Sequence, residues 1–261
     1  MSNFEFDGQK YRQASNHQKE WGNKIIREFE FKGDETVLDL GCGDGILTKR
    51  IAELLPNGKV TGIDASEGMI TTANDLSSRN LSFYRIDIND ISFRNEFDVI
   101  FSNATLHWVK DHNALLENCY QSLKCGGYLR FNFAGDGNCS NFYDVIRKVI
   151  AMNKYSRFFK SFEWPWYMPV KEEYENLLSK TNFNEIKIWE ENADRYFKNE
   201  EAMVKWLDQP SLVPFIQCVD ESRKADFRND VIQRMIAKTR QKNGSCFETF
   251  RRINIYAVKI N

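Results

Sequence analysis

Val37-Leu38-Asp39-Leu40-Gly41-Cys42-Gly43-Asp44-Gly45 is the stretch that decides how this chain folds. Residues 36–40 form a short apolar run with the length of a buried strand, and Leu47, Ile51, Leu54 and Leu55 recur directly after it on one helical face. The glycines therefore fall where a strand hands over to a helix N-terminus, whose first amides have no partner inside the helix. Gly41, Gly43 and Gly45 give that backbone the steric freedom to close over a nucleoside-bearing ligand.

Spacing narrows the ligand. A dinucleotide loop runs G-x-G-x-x-G/A, whereas here the sixth position is Ile46 and the third glycine arrives one residue early. No Lys-Ser/Thr pair closes the loop, so nothing in it asks for a phosphate chain. Asp64 ends the next apolar run, where a carboxylate can accept from both hydroxyls of a ribose.

Outward from the loop, strand and helix signals alternate. Strands are predicted over 60–64, 81–86, 97–102 and 128–134. Ser66 can cap a helix carrying Met69, Ile70 and Ala73, and Leu115, Leu116, Cys119, Tyr120 and Leu123 mark another that Gly126-Gly127 stops. This rhythm predicts an α/β parallel sheet with crossover helices. Past Ala134 it changes: 136–169 is dense in aromatics, among them Phe142, Tyr143, Trp164 and Trp166. Helices near 172–180, 200–208 and 222–240, a strand near 185–191 and a closing strand over 252–260 follow.

With 261 residues and a formal net charge of −1, acidic and basic residues interspersed, the chain lacks the concentrated basic footprint of a nucleic-acid binder. No run of about 18 apolar residues is present and the N-terminal ten residues are polar, so the expectation is no membrane span and a cytoplasmic protein. Six cysteines without a C-x-x-C pair read as reduced thiols, and His17, His107 and His112 share no metal-ligand spacing; no metal is expected.

The loop, Gly62-Ile63-Asp64, Asp87-Ile88, Phe97-Asp98-Val99-Ile100-Phe101-Ser102-Asn103-Ala104 and Leu123-Lys124-Cys125-Gly126-Gly127 together resemble, in order and spacing, the motif set of class I S-adenosylmethionine-dependent methyltransferases, densely over 32–134. The resemblance implies a Rossmann-like, doubly wound, mostly parallel seven-stranded sheet with a helical lid inserted around strand 6. On that plan 1–135 holds an N-terminal helix and the cofactor-binding core, 136–170 and 197–245 the lid, and 171–196 with 246–261 the rest of the sheet. It implies S-adenosylmethionine as cofactor and S-adenosylhomocysteine as product. Asp39 would orient the loop or meet the methionine ammonium, Gly41 and Gly43 would admit the cofactor to the backbone, and Asp64 would hold the ribose. Asp87 with Ile88 would sit at the adenine, unless Asp87 only caps a turn. Asn103 and Ala104 would border the methionine and the methyl group, and Cys42, Ala65 and Met69 would complete the cofactor surface. Cys125 stands where the family commonly has proline.

Tyr11-Arg12-Gln13-Ala14-Ser15-Asn16-His17-Gln18 and Leu106-His107-Trp108-Val109 further resemble juvenile hormone acid methyltransferases and, less closely at the N-terminus, trans-aconitate methyltransferases; malonyl-carrier-protein methyltransferases share the Trp108-type position. By that resemblance Tyr11 would contact the cofactor's carboxylate, while Gln18 and Trp108 would position the carboxylate of a small-molecule acceptor. Indole and amide N–H groups are neutral donors that orient an oxygen without strongly stabilising the ground state. An ionised carboxylate needs no general base. Competing readings keep Trp108 as packing, Gln18 as surface, and His107 either as a structural residue or as base for a hydroxyl or amine. The activity alternatives are O-, N- or C-methylation of another small metabolite, or cofactor binding without turnover.

Overall fold

A computed structural model describes residues 5–260. Its seven-stranded sheet is built from β1 (Thr36–Leu40), β2 (Lys59–Asp64), β3 (Leu81–Arg85), β4 (Phe97–Asn103), β5 (Leu123–Ala134), β6 (Asn184–Asn192) and, after a separate pair β7 (Arg195–Phe197) and β8 (Cys246–Glu248), β9 (Arg251–Val258). The order is β3-β2-β1-β4-β5-β9-β6, parallel from β3 through β5, with β9 antiparallel to β5. Helices α1 (Gly8–Ala14), α2 (Asn16–Ile26), α3 (Ile46–Glu53), α4 (Glu67–Asn74), α5 (His112–Ser122), α6 (Ser140–Ile150), α7 (Lys171–Leu178), α8 (Glu200–Trp206), α9 (Val213–Ile216) and α10 (Glu221–Thr239) complete the chain. This is the α/β methyltransferase-type arrangement expected from the motif order.

Strand alternation explains why both sheet faces are buried. Val37, Val99 and Phe101 point into one apolar cluster, with Ile51 and Leu55, while Leu38, Leu40 and Ile100 point into the other, with Leu115, Leu116 and Phe131. Ser66 Oγ accepts from the Met69 amide at 3.3 Å, the cap that starts α4.

Backbone contacts divide the chain into two units. The first runs to Asp136, resumes over Trp166–Glu191 and again from Arg252, and holds the large sheet. The second is Gly137–Pro165 with Asn192–Arg251. Its interior packs Phe142, Tyr155, Trp206, Phe215 and Phe227, and Trp164 stacks on Tyr143 with ring centroids 5.2 Å apart. Glu248, fully buried, accepts from the amides of Asn141, Phe142 and Thr249 at 3.1, 3.0 and 2.8 Å and so caps α6. Among the described residues no helix is long and apolar enough to cross a membrane.

Two elements differ from the sequence reading. β5 begins at Leu123, ahead of the Gly126-Gly127 pair, rather than at Tyr128. The Gly126 amide donates to Lys259 O at 2.7 Å, and Lys259 N donates to Gly127 O at 2.8 Å, so the end of the chain recruits the glycine stretch into the sheet. The β7–β8 pair has no counterpart in the sequence reading: two three-residue segments, joined by pairs such as Tyr196↔Phe247, are too short to show alternation.

Candidate functional site

The glycine loop leaves β1 with its amides already directed. Gly41 N and Cys42 N both donate to Ile63 O, at 2.8 and 2.9 Å, which pins the turn to the end of β2. Gly41 has φ +73°, and a Cβ there would lie 2.1 Å from Thr105 Cγ2, so conformation and space both demand glycine. At Gly43, φ +54°, the nearest atom to such a Cβ is Tyr11 Cε1 at 3.7 Å; the Tyr11 ring lies over the loop. Beneath it Asp39 is buried and accepts from Thr48 Oγ1 at 2.7 Å. Burial outweighs that hydrogen bond and raises the Asp39 carboxyl to about 7. Desolvation likewise pushes the Cys42 thiol up.

Asp64 closes the loop from the β2 side. Its Oδ2 accepts from Gly43 N at 3.0 Å and its Oδ1 from Ser66 N at 2.9 Å. Each carboxylate oxygen has two lone pairs, so both keep one free for a hydroxyl donor. Burial, with a smaller contribution from Glu5, raises its pKa. Ala65 follows it, and Met69 is buried in the first turn of α4. Past β3, Asp87 Oδ1 accepts from the Asn89 amide at 2.9 Å, capping the 3-10 turn Ile88–Asp90. Asp87 thus fills the capping role, and Ile88 is buried behind it.

On the other side, β4 ends in a strained turn. Ala104 has φ +60°, held by its amide donating to Asn132 O at 2.7 Å. Asn103 Nδ2 donates to Gln18 O at 2.9 Å, which ties α2 to the end of β4. Asn103 Oδ1, Gln18 Oε1 and His107 Nδ1 are buried, with no hydrogen-bond partner among the described residues. Native interiors rarely leave such atoms unpaired. The Asn103 amide oxygen, at the end of β4, fits a ligand that brings N–H donors, as the α-ammonium of the methionyl end of S-adenosylmethionine does.

The turn Leu106–Trp108 presents the remaining residues. Trp108 lies edge-on to Phe6 and to Trp166, with centroids 5.8 and 5.4 Å away. His107 is driven down to about 3 by burial and then by the nearby charge of Arg252, so its ring is neutral at physiological pH. His112 is structural. Its Nε2 donates to Leu106 O at 3.0 Å, which leaves Nδ1 to accept from Tyr174 Oη at 3.0 Å.

Several residues of this region had no signal in sequence. Arg12 donates to Asp44 O and Thr72 O at 3.1 and 3.3 Å, and Lys19 Nζ lies 3.0 Å from Asp44 Oδ2, so α1 and α2 clasp the glycine loop. Glu5 Oε1 accepts from Ser66 Oγ and Gly68 N at 2.8 and 2.7 Å. Arg252, 3% exposed, donates from Nε and Nη2 to Asn132 Oδ1 at 2.9 and 2.7 Å and lies over the Trp21 ring at 4.4 Å. These contacts join positions tens to more than a hundred residues apart, which local pattern cannot reveal.

Comparison with known proteins agrees with this geometry. Residues 37–127 match the family model described as a methyltransferase domain. Trans-aconitate 2-methyltransferase of Mycolicibacterium gilvum is 25% identical over 236 residues, 89% of this chain and 91% of the relative. Malonyl-[acyl-carrier protein] O-methyltransferase of Bacillus anthracis is 32% identical over 130 residues, 48% of each chain. Among solved structures, the phosphoethanolamine N-methyltransferase 2 of Haemonchus contortus in complex with S-adenosyl-L-methionine superposes with a TM-score of 0.61 at 18% identity, covering 97% of this chain and 57% of that one. The YcgJ protein of Bacillus subtilis gives 0.61 at 16% identity, covering 93% and 99%. The glycine loop, the sheet order and these matches make the chain a class I S-adenosylmethionine-dependent methyltransferase.

Proposed function

We propose that the methyl group goes to a carboxylate, giving a methyl ester. The observation that carries this reading is His107: its half-buried ring has an enclosed Nδ1 with no hydrogen-bond partner among the described residues, and desolvation together with the charge of Arg252 pushes it down to about 3, too weak a base to deprotonate a hydroxyl or an ammonium at neutral pH. A carboxylate is already ionised there and needs no base. The names of the relatives point the same way, since trans-aconitate and malonyl-carrier-protein methyltransferases take their names from carboxylic acids.

When bound, S-adenosylmethionine supplies an electrophilic methyl group on a sulfonium. In this reading Asp64 takes the ribose hydroxyls, Asp87 and Ile88 border the adenine, and Gly41, Cys42 and Gly43 admit the backbone, with Ala65 and Met69 beside them. Asp39, Asn103 and Tyr11 hold the methionyl end, and Ala104 lies against the methyl. Gln18 and Trp108 orient the acceptor carboxylate with neutral donors. Methyl transfer to a carboxylate cancels the charges of acceptor and sulfonium, so a full cation on the reacting oxygens would stabilise the ground state over the transition state. Neutral donors avoid that cost. Alignment of the reacting pair can then contribute roughly 7–11 kcal/mol to the rate.

Asp64→Ala should abolish binding of S-adenosylhomocysteine measured calorimetrically; near-normal affinity would remove Asp64 from the ribose. Gln18→Ala and Trp108→Ala should lower turnover of a methylated acid at least tenfold while cofactor affinity stays within about twofold, a split expected of groups on the acceptor side. Variants that bind cofactor and turn over normally would return Trp108 to packing and Gln18 to the surface.

A further inference from the structure

The strand register carries a polar line away from the methyl-transfer point. Asn103 on β4 is paired with Asn132 on β5, and Asn132 with Asn254 on β9. Two residues before Asn254 in sequence, Arg252 turns its guanidinium back onto Asn132. Asn132 O receives both the Ala104 amide, at 2.7 Å, and Arg252 Nη2, at 3.1 Å. One carbonyl therefore links the strained Asn103-Ala104 turn to a buried cation. That cation is fixed: Asn132 holds it through two nitrogens, and Trp21 on α2 covers its face at 4.4 Å. Its charge is felt at two residues of the site, lowering the basicity of His107 and opposing the rise of the Tyr11 phenol.

We propose that Arg252 is a specificity-determining residue that makes the acceptor side of the site select an anion over a neutral isostere. This rests on the carboxylate reading above. The guanidinium stands behind Asn132, on the β5 and β9 side of the Asn103-Ala104 turn, away from Asp64 and the ribose end of the loop. A positive charge held one hydrogen bond behind that turn attracts a carboxylate into the site. It does so without the direct bidentate clamp that would blunt the nucleophile. A fixed charge about 7 Å from an anion, at an effective dielectric of ~20, changes its affinity by roughly fiftyfold. The same charge offers nothing to the corresponding amide or alcohol.

The test compares wild type, Arg252→Met and Arg252→Lys in three measurements. These are KM and kcat for an acid that wild type esterifies, inhibition by that acid's primary amide, and S-adenosylhomocysteine affinity. Arg252→Met should raise KM for the acid tenfold or more, leave kcat unchanged or raise it, and bring the affinities for acid and amide together. Arg252→Lys should restore most of the preference, and S-adenosylhomocysteine should bind all three proteins within about twofold. Unchanged KM and unchanged acid-over-amide preference in a folded Arg252→Met would overturn the proposal while leaving carboxyl methylation intact. Equal loss of S-adenosylhomocysteine affinity would also overturn it, moving Arg252 to the cofactor. Should Arg252→Met not fold, the wild-type acid-to-amide ratio and the lysine variant decide, and a wild-type ratio near one refutes the assignment. A wild type that esterifies no acid removes the carboxylate reading, and this inference with it.

Discussion

Gly41→Ala is the smallest change that strikes the loop on which the fold and the cofactor site both depend. The new methyl group would have to occupy space 2.1 Å from Thr105 Cγ2, 2.4 Å from Thr105 Oγ1 and 2.6 Å from Thr105 Cβ, on a backbone held at φ +73°. Left-handed backbone costs a residue with a Cβ about 1–2 kcal/mol. Overpacking of this severity costs about 1–3 kcal/mol more. The sum, about 2–5 kcal/mol, corresponds to a melting temperature lower by roughly 5–15 °C in a protein of this size. Relief of the clash must push Thr105, whose hydroxyl donates to Gly41 O at 3.1 Å, and with it the turn that carries Ala104 and Trp108. Cofactor affinity should therefore fall along with stability. The assay is a double-mutant cycle, Gly41→Ala, Thr105→Gly and the pair, read by thermal unfolding and by S-adenosylhomocysteine calorimetry. The pair should recover the steric part, a coupling of about 1–3 kcal/mol, and leave the backbone part. A Gly41→Ala protein that melts within a degree of wild type and binds S-adenosylhomocysteine normally, or strictly additive effects, would refute the reasoning.

Two titrations of opposite sign follow from burial. His112 is lowered to about 4 by burial and His107 to about 3, so the unfolded chain binds more protons than the folded one between these values and the usual 6.5; stability is complete above about 6.5 and falls as pH drops through that window. Denaturant unfolding at pH 7.5 and 4.5 should show a loss approaching 3 kcal/mol from His112, and the slope should flatten in His112→Asn. Asp39 runs the other way: its folded pKa near 7 means that the folded chain holds the extra proton, so its contribution to stability falls as pH rises from about 4 to 7. If the ionised Asp39 meets the methionine ammonium, S-adenosylhomocysteine should bind with release of a proton near pH 6.5 and more tightly at pH 8; Asp39→Asn should abolish that release, and an unchanged release in the variant would place the proton elsewhere.

The legible part of this molecule was its local part. Residues 36–40 and their helix, the Ser66 cap and the individual strands β2, β3 and β4 are visible because each is written within a dozen consecutive residues. So are the positions of Asp39, Gly41, Gly43 and Asp64, which a strand-to-helix handover fixes. Asp87 has two readings in sequence, a cap and an adenine contact, and in the fold its carboxylate accepts from the Asn89 amide. The clasp of Arg12 and Lys19 on Asp44, the Glu5 contact at α4 and the Arg252–Asn132 pair were invisible, because the chain must fold before these residues meet. β7 and β8 were missed for a related reason, since their pairing is long-range and their runs are three residues each. Gln18 illustrates the boundary: sequence leaves it between surface and site, and only the folded chain shows its Oε1 buried and its main-chain oxygen accepting from Asn103 Nδ2.

On the proposed function the accepting atom is a carboxylate oxygen, and the product's chemistry tests this directly. Purified protein supplied with methyl-labelled S-adenosylmethionine and a panel of carboxylic acids should transfer label to at least one acid, and mild alkali should release that label as volatile methanol. A labelled product that keeps its methyl group in alkali, or label on a hydroxyl or amine acceptor and on no acid, would contradict the account.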